Sequence, residues 1–470
     1  MYRGRGSSSS RGSWRGGGLG GLSRGGRGSS SDNWRKRNSG NDSTDRTPRA
    51  DFNDPPRGRL ITEITLDGTS THDIQMQDAR IRECRYIASY SLVDSQRSEI
   101  IIPGQPATWK PPQLPAQLPG DHGDYLRDQN GARFPDRPMQ PSVQSLFALN
   151  KEFDPSNVDV MGCASSLGDI LRFVRSVEAS FRFDVEIIGN TLFLARNCRD
   201  EVIPDVRGFG HSFLDNFTSY QFGTEETKSH QRIVSYTFGG LRCLVRFECD
   251  GHFDTAAKSI EPDISDLSQT KLSDPIPSKP AGIAIPQDSI LEIKTRSQAG
   301  APIDMSEHLP RLWLRQIPNL IAAYHTRGNF EDVQEKHVAE DLVNWEIKHC
   351  RELRKFAAVL HQLIVEVKRS SHLKLELCRT GSGPLELREQ GGKAREVLPA
   401  DWKYLWARQH PGWKTTGGRL IDEDDDDDDD SYPRVTPRKD EDSESEDSDD
   451  NFSLDYTACD ALCGYCGHCA

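Results

Sequence analysis

The chain has 470 residues and a formal charge of −13, and only 35% of its residues are hydrophobic, against about 45–50% in a typical globular domain. The sequence contains no run of about 18 apolar residues and no apolar N-terminal segment, so we expect neither a membrane span nor a secretory signal. Its eleven cysteines are unevenly spread. This distribution favours reduced thiols in the nucleus or cytosol over a disulfide scaffold.

Residues 1–59 form a basic arm rich in Gly, Ser and Arg, with thirteen Lys and Arg against five Asp. A segment with so few apolar side chains cannot offset its chain entropy, so we expect it to be disordered. Its RGG-like pieces, interleaved with Trp14 and Trp34, favour RNA contact through phosphate pairing and base stacking. A solubilising or targeting tail explains the same composition.

Between the tails, residues 60–155 are rich in proline, which predicts an extended strap packed on the core rather than a core of its own. Residues 156–420 show regular apolar patterns. These predict a helix in LGDILRFVRSVEASF, hairpins in VEIIGNTLFLARN and RIVSYTFGGLRCLVRFECDG, and a strand in SILEIKTRS. Helices are then predicted over LPRLWLRQIPNLIAAYH and over 333–367, followed by a hairpin at 373–387. This order predicts an α+β fold in which helices pack on a mixed β-sheet.

The C-terminal end carries two further segments. Residues 421–455 hold eighteen acidic and three basic residues, which is typical of a disordered, self-repelling tail. Residues 456–470 contain four closely spaced cysteines whose thiolates suit one Zn²⁺; they are Cys459, Cys463, Cys466 and Cys469. A redox-sensitive or peptide-recognition tail is the alternative to this zinc site.

Two short acidic strings are the candidates for chemistry. Glu248 and Asp250 flank a cysteine at one predicted strand end, and Glu292 and Lys294 flank Ile293 at another. Residues two apart share one face of a strand, so neighbouring strands would bring three carboxylates and one ammonium together. Such a cluster suits Mg²⁺ or Mn²⁺, and two such ions can clamp a reacting phosphodiester. Either string alone is explained as well by the polar residues of a half-exposed strand.

The chain resembles the decapping exoribonuclease (DXO) family of the PD-(D/E)XK nuclease superfamily. FECDG followed by ILEIKT is similar to the Glu-apolar-Asp and Glu-apolar-Lys motifs of that family, and Trp313, Gln316 and Pro318 follow at a comparable distance. The similarity is best over about residues 205–325. The resemblance implies a mixed-sheet nuclease core that hydrolyses phosphodiester or cap linkages at RNA 5′ ends with two divalent ions.

The resemblance also implies roles for individual residues of the two strings. Asp250 and Glu292 would bind metal, and the Ile293 carbonyl would add a ligand. Glu248 would act through a bound water. Lys294 would activate or hold the nucleophile.

Outside these strings the resemblance is less complete. Gln316 would line the RNA-facing side, and Arg207 and His211 are candidate phosphate contacts. An earlier motif of the family ends in an acid, and the counterpart here is Leu214. Asp215 follows as a candidate metal ligand, but one residue further along a helix means about 100° of rotation.

These observations leave more than one function open. A metal-dependent hydrolase of RNA 5′ ends, acting in decapping or 5′-end quality control, is the leading hypothesis, and a catalytically impaired RNA-binding or scaffold pseudo-nuclease is the alternative. The chain also resembles a fungal group whose members often carry a geranylgeranyl diphosphate synthase label, but the Asp-Asp-x-x-Asp motifs of prenyl-diphosphate synthases have no counterpart here. We expect RNA and a nuclear exoribonuclease or other RNA-processing protein as partners, no membrane, and a nuclear location that extends to the cytoplasm.

Overall fold

A computed structural model describes residues 57–408, apart from positions 73, 76, 94–97, 127, 197–201, 255–271, 273, 301, 371–372 and 392–394. The acidic tail, the cysteine-rich segment and all but the last three residues of the basic arm lie outside the described residues. None of the helices in the described part of the chain is long and apolar enough to cross a membrane.

The described residues form eight α-helices and twenty β-strands, and the predicted α+β class is confirmed. The helices are α1 (Gln129–Arg133), α2 (Gln140–Leu149), α3 (Ala164–Val174), α4 (Gly210–Phe217), α5 (Met305–Arg315), α6 (Ala339–Lys348), α7 (Cys350–Arg369) and α8 (Ala400–Ala407). The strands are β1 (Leu60–Ile64), β2 (Arg82–Val93), β3 (Ile100–Pro103), β4 (Thr108–Trp109), β5 (Ala116–Gln117), β6 (Tyr125–Leu126), β7 (Val160–Cys163), β8 (Phe181–Ile188), β9 (Thr191–Arg196), β10 (Val202–Ile203), β11 (Thr218–Ser219), β12 (Thr227–Phe238), β13 (Leu241–Cys249), β14 (Gly251–His252), β15 (Ser278–Ala281), β16 (Ile290–Ser297), β17 (Asn319–Thr326), β18 (Asn329–His337), β19 (Lys374–Arg379) and β20 (Leu385–Arg388).

Most strands belong to two mixed sheets. The eleven-stranded sheet has the order β1-β20-β19-β8-β9-β7-β13-β12-β2-β3-β15, and the seven-stranded sheet has the order β11-β4-β14-β16-β17-β18-β5. The predicted hairpins β8-β9, β12-β13 and β19-β20 are all present and antiparallel. The β12-β13 turn uses Gly239 and Gly240 at φ of 59° and 78°, the left-handed pair that a tight hairpin turn requires.

The proline-rich segment is more deeply built into the fold than the predicted strap. Its longest strand, β2, lies between β12 and β3 inside the large sheet, and Tyr90 and Leu92 on it are fully buried. The reason is local composition. The run RYIASYSLV is free of proline and can donate a full ladder of hydrogen bonds, whereas the prolines cluster after Pro103, where only two-residue strands form.

Two helix predictions after β16 are wrong in their bounds. The predicted helix LPRLWLRQIPNLIAAYH stops at Arg315, Gln316 adopts a left-handed φ of 52°, and the apolar run after Pro318 is the strand β17, parallel to β16. The predicted helix 333–367 begins instead as strand β18 and continues as α6 and α7. A short apolar run that is buried on both faces gives no periodicity that separates helix from strand.

The unit β16-α5-β17 joins two parallel neighbours through a helix, as parallel pairing requires. Helix α5 is held at several points. The indole Nε1 of its buried Trp313 donates to Glu346 at 2.8 Å. At its C-terminal end, the Gln287 side chain donates to the carbonyls of Arg315 and Gln316 at 3.1 and 2.9 Å. Helix α5 is therefore fixed in position against β16.

Candidate active site

Asp250 lies at the point where the chain passes from one large sheet to the other. It follows β13 of the eleven-stranded sheet and precedes β14, which pairs with β16 in the seven-stranded sheet. Its Oδ2 accepts a hydrogen bond from the backbone N–H of Ile293 at 2.8 Å. The two acidic strings are therefore brought together as predicted, although through β14 rather than through direct pairing of β13 with β16.

Glu292 and Lys294 lie inside β16, not at its end, and they share one face of the strand. Lys294 Nζ lies 2.8 Å from Glu292 Oε1. The guanidinium of Arg315, from the end of α5, donates to both carboxylate oxygens at 3.1 and 2.9 Å. All three side chains are at most 4% exposed. We call Asp250, Glu292, Lys294 and Arg315 the carboxylate centre.

The two carboxyl groups of this centre have opposite pKa shifts. Burial and the charge of Glu292 together raise the pKa of Asp250 to about 7, against the opposing effects of Lys294, the Ile293 N–H and Arg315. Burial alone would also raise the pKa of Glu292, but the charges of Lys294 and Arg315 outweigh it and lower that pKa to about 2. Glu292 is therefore ionised, and Asp250 is poised between its two forms near neutral pH.

Tyr220 lies on the side of the site where the acidic side chains are more exposed than Glu292. Burial raises the pKa of its hydroxyl, and the charges of Glu248, Asp215 and Asp250 add to the effect. These three acids therefore lie within electrostatic reach of one phenol, which stays protonated and able to donate. Glu248 is half-buried and Asp215 is exposed. We call Glu248, Asp215 and Tyr220 the outer ring.

Helix α4 presents Leu214 at the position where the resembled family has an acid. Leu214 packs with Phe213, Leu291 and Ile293 in an apolar cluster between α4 and the seven-stranded sheet. The first turn of α4 is bound by Asp121, which accepts from the backbone N–H of Ser212 at 2.8 Å. The side chain that points at β16 is thus apolar, and no carboxylate reaches the centre from position 214.

The predicted RNA contacts are engaged within the protein. His211 stacks on Tyr125 with ring centroids 3.6 Å apart. Arg207 is exposed and forms an ion pair with Asp205 at 2.8 Å. The Gln316 side chain donates to the carbonyl of Trp313 at 2.6 Å, within its own helix end. RNA contact by these residues stays a prediction.

The donor chemistry fits one divalent ion. Carboxylate and carbonyl oxygens are the ligands that Mg²⁺ and Mn²⁺ prefer. The carboxylate centre and outer ring together hold four carboxylates and two cations, which leaves two negative charges when all are ionised. Both oxygens of Glu292 are engaged by cations, so the candidate position for an ion is beside Asp250. The binding of two ions stays a prediction. Among the described residues, no group of three His, Cys, Asp or Glu side chains is already arranged to hold an ion.

Leu214→Glu is expected to leave the affinity for Mn²⁺ close to that of the native chain, because Leu214 packs on the face of β16 that carries Leu291 and Ile293, opposite to the face of Glu292 and Lys294. Isothermal titration with Mn²⁺ measures this. Leu214→Gln is the matched control, since it has the same size and polarity but no charge. Tighter binding of Mn²⁺ by Leu214→Glu than by Leu214→Gln would show that position 214 faces a metal site.

Two residues of this site carry no motif of their own. Arg315 is recognisable only as the residue four after Arg311, on the same face of α5. Tyr220 follows the short strand β11 and has no periodic pattern around it. Both reach the site through tertiary packing, which a pattern along the chain does not report.

The fold has counterparts among solved structures. A mutant Rai1 of S. pombe in complex with 3′-FADP is 13% identical, with a TM-score of 0.48 over 71% of this chain and 100% of that chain. Rai1 of Scheffersomyces stipitis with (3′-NADP)⁺ and calcium is 12% identical, with a TM-score of 0.49 over 75% and 99%. Rai1 of Candida albicans with pU5 and Mn²⁺ is 10% identical, with a TM-score of 0.48 over 74% and 99%. These neighbours are decapping exonucleases of the DXO family that the sequence motifs resemble.

Sequence comparison gives a second result. No curated protein sequence matches the chain. The profile of a family described as "Domain of unknown function (DUF8563)" matches residues 70–375, which include both acidic strings, α5 and most of the two large sheets. Since this match spans well over half of the 470 residues, the chain belongs to the family Domain of unknown function (DUF8563).

Proposed function

We propose that the protein is a divalent-metal-dependent phosphodiester hydrolase that acts on RNA 5′ ends. The observation that carries the proposal is the convergence of Asp250, Glu292 and Lys294 from two sheets, with Asp250 hydrogen-bonded to the backbone next to Glu292 at 2.8 Å. RNA is the proposed substrate because the motifs at these positions are similar to those of the decapping exoribonuclease family and because the N-terminal arm has an RGG-like composition.

The residues divide into a buried and an accessible part. Lys294 and Arg315 both contact the Glu292 carboxylate, so they fix its orientation and balance its charge. Asp250, with Glu248 and Asp215, would hold Mg²⁺ or Mn²⁺ on the accessible side. A bound ion supplies Lewis-acid polarisation of a phosphate oxygen and a more acidic water. The protonated Tyr220 hydroxyl is placed to donate to a phosphate oxygen next to these acids.

The test is hydrolysis of defined RNAs by the full chain. Capped, 5′-triphosphate and 5′-monophosphate RNAs of one sequence are incubated with Mg²⁺, with Mn²⁺ and with EDTA, and the released products are identified. We expect product from at least one end group, only in the presence of a divalent ion. Absence of product from all three RNAs, or product that persists in EDTA, would contradict the proposal.

Two observations favour a second candidate, a pseudo-nuclease that binds RNA without cleaving it. Arg315 occupies both oxygens of Glu292, and Leu214 stands where the family has an acid. Titration with Mn²⁺ separates the candidates, because a hydrolase binds the ion in a way that Asp250→Ala abolishes. RNA binding that is unchanged by Mn²⁺ and by Asp250→Ala, without any product, identifies the pseudo-nuclease.

Three further proposals concern the location, the protein partner and a zinc site of the chain. We propose a mainly nuclear location, a nuclear RNA-processing protein as partner, and one Zn²⁺ held by Cys459, Cys463, Cys466 and Cys469. The zinc content of the purified chain checks the last of these. One zinc per chain in the native protein, and none after conversion of the four cysteines to serine, is the expected result.

A further inference from the structure

A cavity of about 280 Å³ lies between α3 and α5, beside the carboxylate centre. The two helices face each other across it with residues at helical spacing. On α3 and its C-cap these are Gly168, Leu171, Arg172 and Arg175, and on α5 they are Glu307, Pro310, Arg311 and Leu314. Residues spaced by three and four lie on one helix face, so the cavity is walled by one face of each helix.

The walls of this cavity are strongly basic. Four arginines line it, namely Arg172, Arg175, Arg311 and Arg315, against one carboxylate, that of the exposed Glu307. Arg315 also holds Glu292, so the cavity and the carboxylate centre share a wall. Leu171, Leu314 and Pro310 supply apolar surface between the guanidinium groups, which lowers the local dielectric and strengthens their attraction for an anion.

Acids behind the walls reduce this charge only in part. The charge of Glu352 acts on Arg175. Asp169 acts on Arg172 and Arg311, but burial raises the pKa of Asp169 to about 7, so that carboxyl is only partly ionised near neutral pH. Glu292 offsets the charge of Arg315, so Arg172, Arg175 and Arg311 supply the positive charge that the cavity offers to a ligand.

The N-terminus of α3 adds to the same surface. Ala164 and Ser165 begin the helix and line the cavity. The residue that precedes them, Cys163, makes no side-chain cap for the helix; its Sγ accepts from Arg246 at 2.7 Å instead. The first amides of a helix and its dipole favour an anion, so they act in the same direction as the four arginines.

We infer that this cavity binds a pyrophosphate-type group. Guanidinium groups bind phosphoryl oxygens through paired hydrogen bonds, and those of Arg172, Arg175 and Arg311 together match an anion of several charges better than a single carboxylate. The volume is slightly below the roughly 300–1,000 Å³ of pockets for drug-sized ligands, which suits a di- or triphosphate group rather than a whole dinucleotide. Such a group is found at the 5′ end of a triphosphorylated RNA and in a free nucleoside triphosphate.

Binding of inorganic pyrophosphate to the full chain tests the inference. Isothermal titration is carried out in EDTA, so that the result does not depend on a divalent ion or on hydrolysis. One saturable site per chain is expected. Asp250→Asn is expected to bind pyrophosphate as the native chain does, which separates this site from the proposed hydrolysis. Absence of saturable binding would overturn the inference.

Variants locate the site. Ser165→Glu places a carboxylate in the cavity at a helix N-terminus, where an acid is compatible with folding, and it is expected to weaken pyrophosphate binding at least tenfold. Ser165→Gln is the matched neutral control and should change binding less than threefold. Arg175→Gln should weaken binding about tenfold. Arg242→Gln should not, because Arg242 pairs with Asp159 and Asn157 and does not line the cavity. Unchanged binding in Ser165→Glu and Arg175→Gln would overturn the inference.

Competition identifies the source of the group. Displacement of pyrophosphate by a 5′-triphosphate oligonucleotide more strongly than by GTP assigns the cavity to RNA ends, and the reverse order assigns it to a free nucleotide. A 5′-hydroxyl oligonucleotide of the same sequence is the control. Equal displacement by the 5′-hydroxyl and 5′-triphosphate oligonucleotides, with none by GTP, would overturn recognition of the phosphate group.

Discussion

Glu292→Gln is expected to lower the free energy of unfolding by about 3–5 kcal/mol, because it removes the carboxylate that the buried Lys294 and Arg315 both contact. Both cations are 4% exposed, and both contact the Glu292 carboxylate within 3.1 Å. Glutamine keeps the size of the side chain but cannot balance either charge. Urea unfolding followed by tryptophan fluorescence measures the loss.

The double variant separates the charge effect from a packing effect. Glu292→Gln with Arg315→Gln is expected to cost less than the sum of the two single changes, because each removes the partner of the other. Glu226→Gln is the surface control; it breaks an exposed ion pair with Lys279 and should cost less than about 1 kcal/mol. Additive costs at 292 and 315 would show that the buried pair does not stabilise the centre.

Asp250→Asn is expected to abolish hydrolysis, with at least a hundredfold loss of rate, while it makes the protein more stable above neutral pH. The amide can still accept the hydrogen bond from Ile293 through its oxygen, so the backbone contact survives. The loss of a metal-binding carboxylate removes the proposed chemistry. The combination of higher stability and lost activity is the signature of a group that is kept ionisable for function.

The sign of the stability change follows from the raised pKa. The folded state holds the Asp250 proton more tightly than the unfolded state, where an Asp titrates near about 3.9. The stabilising effect of that proton is complete below this value and is lost as the pH rises through about 7. The free energy of unfolding of the variant, relative to that of the native chain, should therefore rise between about pH 3.9 and about pH 7. Above pH 7 the difference should be constant.

A matched measurement checks both halves of this prediction. Unfolding midpoints of Asp250→Asn and the native chain are compared at pH 5 and pH 8, beside RNA hydrolysis by each protein. Asp205→Asn is the control, because the Asp205 side chain is exposed and forms an ion pair with the exposed Arg207. A variant that is less stable at pH 8, or that retains full hydrolysis, would contradict the assignment of Asp250 to the site.

Local patterns determined the hairpins and the two acidic strings. Gly239 and Gly240 between alternating apolar residues predict β12-β13 without further information, since only a left-handed turn joins two such strands so tightly. Glu248 and Asp250 at the end of that hairpin, and Glu292 and Lys294 two residues apart, place carboxylates and an amine on the strands that the structure brings together.

Only the tertiary structure decided that the run after Pro318 is a strand, that Arg315 contacts Glu292 and that four arginines share one cavity. Nothing in the run after Pro318 distinguishes a buried helix from a buried strand, because both faces of β17 are covered and the periodicity is lost. The contact between Arg315 and Glu292 was hidden as well, since the two residues lie 23 positions apart and meet only in the folded chain. The arginines at 172 and 175 are 130 or more positions before those of α5 in the sequence, and they share a cavity because α3 and α5 pack side by side. Contacts between elements far apart in sequence fix these features, and a pattern read along one segment carries no information about them.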